Sequence, residues 1–257
     1  MENPVVADIS DPSSLLPAQR TEFSLWKACA WAGPVYIVGV LISWAGIAGF
    51  VPPPGEDWSP AKIAAFYADN EVSIRIGMEG VLIFAMFYFV WSLALRRVMQ
   101  QHEGRGGFLS TIQFVGGVST AWITMGCAVL WLTASFRAFT RAPEGVALLN
   151  DLGWMIFDMT AMATMFQMVA FGAWILGDDR PTPAMPRWLG YLTFWLAASL
   201  LAVYLMPSFQ TGPFSWQGLI TLYIALGAFF VWTVIASWYL LRAIKSIESE
   251  IVVRVRR

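Results

Sequence analysis

FLSTIQFVGGVSTAWITMGCAVLWLTASF, residues 108–136, runs for 29 residues without one charged side chain. As a helix at about 1.5 Å per residue it would reach about 43 Å, more than the roughly 30 Å hydrocarbon core of a bilayer. A buried core helix of a soluble domain rarely needs such length, so this stretch reads as a transmembrane helix. Gly116, Thr120 and Thr124 within it have small-xxx-small spacing, which lets another backbone approach closely. The expected partner is another helix of the same chain.

Five further apolar stretches flank it, at about 28–51, 72–95, 152–177, 188–207 and 214–241. They are too long and too evenly apolar for the ten-residue alternating strands of a membrane barrel. The whole chain agrees: of 257 residues 58% are hydrophobic and 13% charged, against roughly 25% charged in soluble domains, and the mean hydropathy is +0.60. The expected fold class is an all-α integral membrane protein, a six-transmembrane-helix bundle. Its domains are an N-terminal segment (1–25), a transmembrane domain (26–242) and a basic tail (243–257). Residues 1–25 carry Glu2, Asp8, Asp11 and Glu22 and no apolar run, so they are not read as a secretory signal.

Lys and Arg set the orientation. With the N-terminus inside, the cytoplasmic side holds Arg20, Lys27, Arg96, Arg97, Arg105, Arg180, Arg187, Arg242, Lys245, Arg254, Arg256 and Arg257, and the outer side Lys62, Arg75, Arg137 and Arg141. This excess of inside cations predicts both termini in the cytoplasm. The expected location is a cell membrane, the inner membrane of a bacterium. Trp26, Trp31, Trp58, Trp91, Trp131, Trp154, Trp174, Trp188, Trp216 and Trp238 lie near the predicted helix ends, where headgroups suit an indole. Trp44, Trp122, Trp195 and Trp232 lie deeper and are expected to pack between helices. In the first outer loop Pro52, Pro53 and Pro54 stop a helix. Ser59 then reads as a cap, with Pro60 opening a short amphipathic helix at the outer surface that carries Ile63, Phe66 and Tyr67 on one side.

Composition also excludes functions. A net charge of −1 gives no field for nucleic acid. The single histidine, His102, sits in a polar stretch between spans and cannot supply paired haem ligands. Cys29 and Cys127 lie in separate apolar segments and form no metal or redox pair. Lys27, Lys62 and Lys245 lie at or beyond helix ends, so no lysine is placed for a Schiff base. No GxSxG, GxxxxGK[ST], HExxH or GxGxxG motif occurs. No cofactor is expected.

Chemistry is then sought among charges inside the spans, each of which costs about 2.5–3.5 kcal/mol or more. Arg75 and Glu79 are four apart in the second span, so Arg75 is expected to pair with Glu79 or with Asp158 of the fourth. Asp158 lies six residues, about 9 Å, from the middle of the 152–177 span. Asp151 and Arg137 fall at the outer ends of the fourth and third spans and join the candidate binding set. Met155, Met159, Met162 and Met165 share a helical stripe that could pass a soft ion; gap-filling is the plainer role.

These residues suggest three functions. The first is a carrier or binder of a small solute or ion, with an outward-opening polar site between helices two and four. The second is an accessory subunit of a larger membrane complex, its charges holding helices together; a homo-oligomer is a related option. The third is a membrane-embedded enzyme acting on a lipid or hydrophobic substrate. The first leads, and the bilayer is the one partner common to all.

Overall fold

The computed structural model describes residues 15–104 and 106–255. The polar segment before residue 15, Arg105 and the end of the basic tail, Arg256 and Arg257, lie outside the described residues. Helices α1 (Pro17–Val40), α2 (Pro60–Asp69), α3 (Glu71–Glu103), α4 (Phe108–Phe136), α5 (Pro143–Met159), α6 (Met162–Leu176), α7 (Arg187–Ser199) and α8 (Leu226–Val255) succeed one another along the chain. The described residues contain no strand. Among the described residues six helical runs are long and apolar enough to cross a membrane: Pro17–Ile47, Glu71–Glu103, Phe108–Phe136, Pro143–Leu176, Arg187–Ser208 and Leu219–Val253. The chain is a multi-pass membrane protein.

With six spans the start of α1 and the end of α8 come to one end of the bundle, where Lys27 and Glu248 pair at 2.6 Å. The opposite end carries the 48–59 and 209–218 loops and α2. Ser59 caps α2 by accepting from the Lys62 N–H at 3.3 Å, and Ile63 and Tyr67 bury one side of it.

Spans two and three are unbroken, and the other four are interrupted. The first ends in a π-helical turn, Leu41–Ile47. The fourth is divided at Thr160–Ala161, between α5 and α6. The fifth tightens into a 3-10 helix, Leu200–Ser208, and the sixth opens with a π-helical segment, Leu219–Ala225. The wide first-span turn is accommodated by α3: a Cβ on Gly77 would come within 2.6 Å of Ala48, and one on Gly80 within 2.9 Å of the Ser43 Cβ. Such irregular turns free backbone groups and tend to mark functional places.

The third span is the spine, packing against the second on one side and both halves of the fourth on the other. A Cβ on Gly116 would meet the Ala163 carbonyl at 2.7 Å, and one on Gly117 would meet Ser92 at 2.6 Å. The small-residue seam thus serves packing within the chain. Across it the second and fourth spans touch through side chains. Tyr88 donates to Gln167 Oε1 at 2.7 Å, and Gln167 Nε2 donates to Ser92 at 3.2 Å.

Several expectations need correction. The first helix starts at Pro17, not near 28, because Phe23 and Trp26 are buried while Glu22 pairs with Arg97; its first turns project as an amphipathic extension. His102 lies in the last turn of α3, not in a loop. The fourth helix starts at Pro143, so Asp158 stands about 2 Å from its midpoint, not 9 Å. Of the four deeper tryptophans, Trp44 and Trp232 are buried, but Trp122 and Trp195 are 67% and 72% exposed on the outside of the bundle. Conversely Trp26, Trp131 and Trp216, near span ends, are buried because their indole N–H groups find carbonyls of Ala94, Asn150 and Pro54.

Candidate functional site

The site grows from the division of the fourth span. α5 ends at Met159, and the freed N–H of Met162 donates to the Tyr204 hydroxyl at 2.9 Å. Asp158, one residue before the end of α5, is 4% exposed and faces a cavity of about 70 Å³. Its Oδ2 is buried with no hydrogen-bond partner, and no cation pairs with it among the described residues. A buried acid left alone is the kind of exception that needs a reason.

Five threonines line the same cavity: Thr120 and Thr124 from α4, Thr160 and Thr164 from the fourth span, Thr221 from the sixth. Their protons are already in use. Thr120 donates to the Gly116 carbonyl at 2.9 Å, Thr124 to Thr120 at 2.9 Å, and Thr160 to Ile156 at 2.6 Å. Thr221 donates to Ser215. The Thr120 and Thr164 hydroxyls are 2.8 Å apart; since the single proton of Thr120 is spent on Gly116, Thr164 is the donor. A hydroxyl has one donor and two acceptor positions, so what these five retain is acceptor capacity. Apolar and aromatic groups complete the wall, with Tyr36, Phe157 and Phe229 among them.

Toward the loop end a second cavity of about 30 Å³ shares Tyr36, Thr124, Phe157 and Leu226 with the first and adds Trp44 and Trp131. Above it lies an aromatic cluster: Trp131 and Trp154 are 5.0 Å apart, Phe50 and Trp131 5.2 Å, and Trp44 and Trp154 6.1 Å. Trp216 of the 209–218 loop stacks on Trp154 at 5.9 Å. That indole is tied down by the other loop, through its Nε1 to the Pro54 carbonyl at 2.8 Å and its backbone N–H to Glu56 Oε1 at 2.9 Å.

Glu56 is therefore part of the roof. Its Oε2 is buried and unpartnered. Burial pushes its carboxyl up to about 7, and the charges of Asp151 and Asp57 act in the same direction, against the hydrogen bond from Trp216. Glu56 is also near enough to Asp158 for the two charges to interact. The aromatic cluster thus has an acid above it and an acid below it.

The sequence-expected residues separate. Asp158 is in the cavity. Asp151 stands near the roof, half-buried, accepting from Asn150 at 3.1 Å, while Asn150 in turn accepts from Tyr67 at 3.0 Å. Arg75 pairs with Glu71 and donates to the Phe136 carbonyl at 2.8 Å, reaching neither Glu79 nor Asp158. Helical side chains lean toward the N-terminus, so Arg75 reaches back one turn and not forward. Glu79 is exposed on the outside of α3 among Val72, Ile76, Ile83 and Met86. Arg137 is exposed beside Phe136. The walls of the Asp158 cavity come from spans one, three, four, five and six; the fourth contributes as expected and the second does not. The methionine stripe is interrupted where α5 ends, and Met155, Met159, Met162 and Met165 do not line this cavity.

Glu56, Tyr36, Thr160, Thr164, Thr221 and Trp216 carried no signal for the site in the sequence beyond their polarity or ring. Two wider grooves, of about 460 and 330 Å³, lie at the terminal end around His102 and Arg180. Two of their acids are paired: Arg180 grips both oxygens of Asp178 at 2.8 Å, which holds that carboxyl well below its usual range, and Arg187 pairs with Asp179. Compared with known proteins, the chain matches no protein family, no curated protein and no solved structure.

Proposed function

We propose that this multi-pass membrane protein binds and carries a small monovalent cation at Asp158, with its loop end outward and both termini in the cytoplasm of a bacterium. The carrying observation is the unpartnered, buried Asp158 carboxylate facing a cavity whose five threonine hydroxyls have only acceptor capacity left. Such a wall suits a positive or donor-rich guest and opposes an anion. One carboxylate is too little charge for calcium, which gathers six to eight oxygens, or for magnesium, which keeps a rigid octahedron. Broken helices are the usual place for ion sites in carriers, and the break at Thr160–Ala161 lies in the cavity wall.

The test is binding to the purified chain at constant ionic strength. Intrinsic fluorescence should respond saturably to sodium, potassium or ammonium chloride, because Trp131 and Trp154 lie next to the site. Asp158→Asn should melt cooperatively and give a flat titration. A titration unchanged in Asp158→Asn removes the residue from the function.

A second reading, a subunit of a larger membrane complex, is favoured by Glu79, which is exposed and unpaired among apolar neighbours. Its signature is a stoichiometric partner in mild detergent that is lost in Glu79→Gln.

A further inference from the structure

We infer that the guest at Asp158 is a small protonated alkylamine of about three heavy atoms, an assignment that rests on the monovalent-cation reading of this carboxylate. Its ammonium sits on Asp158 and its hydrocarbon lies against the apolar wall.

Size comes first. A 150 Å³ apolar cavity holds benzene, which has six heavy atoms; by proportion about 70 Å³ takes roughly three. That is far more room than a bare alkali ion fills, and too little for a quaternary ammonium with four ethyl arms.

Donor count comes second. A primary ammonium has three N–H donors and no acceptor. The cavity answers with a carboxylate whose Oδ2 has no partner and with threonine oxygens whose own protons are committed to helix carbonyls. The rest of the lining is mainly hydrocarbon and aromatic: Phe157, Val203, Leu226 and Phe229 face the same space. A wall of that kind repels a hydrated ion and receives an alkyl group.

The aromatic surroundings are the third observation. Between Glu56 at the roof and Asp158 below lie the rings of Trp44, Trp131 and Trp154. Ring faces attract cations, ammonium groups included. Acids with an unpartnered oxygen on either side of a packed aromatic cluster suit an organic cation.

The experiment uses the full chain in detergent micelles at neutral pH and constant ionic strength, with four probes: ethylammonium, sodium, ethanol as the neutral molecule of equal heavy-atom count, and tetraethylammonium as the oversized cation. The expected result is saturable binding of ethylammonium, tighter than sodium, with neither ethanol nor tetraethylammonium binding. Asp158→Asn should abolish it. Phe229→Leu, which keeps the site apolar, should weaken ethylammonium about two- to fivefold through loss of the ring. Should sodium bind through Asp158 more tightly than ethylammonium, the amine assignment falls and the monovalent-cation reading stands. Should no cation bind saturably, both fall. Equal binding of ethanol overturns the amine assignment, because charge would then contribute nothing.

Discussion

Replacing Asp158 by valine separates an acid that waits for a ligand from an acid that holds helices together, because the two roles predict opposite signs. Valine is close to aspartate in volume, so the change removes polarity and leaves no large void. If Asp158 belonged to a buried ion pair, its removal would strand the partner cation and destabilise the bundle by about 3–5 kcal/mol. The described residues hold no such cation: Arg75 is engaged with Glu71 and the Phe136 carbonyl, and Asp158 Oδ2 is buried alone. An orphaned buried polar group costs about 1–3 kcal/mol. Relieving it should stabilise the ligand-free protein by that amount. For a chain of this size each kcal/mol moves the melting midpoint by about 2–4 °C, so the midpoint should rise by about 2–12 °C. The assay is thermal unfolding followed by tryptophan fluorescence in micelles, with salt supplied as a cation too large for the cavity. A small binding cation at a hundred times its Kd should add about 2.7 kcal/mol to the natural protein and nothing to the variant. A midpoint that falls on Asp158→Val would refute the orphaned-acid argument and return Asp158 to a structural role.

Two further outcomes test the surroundings. Glu56 titrates near 7 in the folded chain against an ordinary 4.5, so between those values the folded state keeps a proton that the unfolded state has lost. Stability should be full below about pH 4.5 and decline as pH rises toward 7. Glu56→Gln keeps an acceptor for the Trp216 N–H and should flatten the midpoint over that window; an unchanged slope would assign it elsewhere. In the seam, a methyl on Gly117 would lie 2.6 Å from the Ser92 Cβ and 2.8 Å from Gln167 Nε2. Gly117→Ala should therefore cost about 1–3 kcal/mol by overpacking, and Ser92→Gly in the same chain should recover much of it. Additive losses in that pair would show that the two residues do not press on each other.

The amino-acid sequence by itself determined the membrane architecture. Hydrocarbon demands that every backbone group be satisfied within the segment, so a run such as 108–136 declares its own structure whatever its neighbours do. The Ser59–Pro60 cap is equally local, and so is the small-residue seam at Gly116, Thr120 and Thr124. Asp158 stands out in the sequence because a carboxylate in such a run is costly wherever it points. What it faces was not legible. Arg75 has two acids one turn away, and only the lean of helical side chains and the nearness of Phe136 choose Glu71. Trp122 and Trp232 have similar depth in their spans, yet one faces outward and the other the core, because depth follows from sequence position while azimuth follows from packing. Thr160, Thr164 and Thr221 acquire meaning only when the breaks in spans four and six bring them around one carboxylate, and Glu56 only when its loop closes over Trp216. The tertiary structure decided these matters, because each depends on contacts between residues far apart in the chain, which no local pattern encodes.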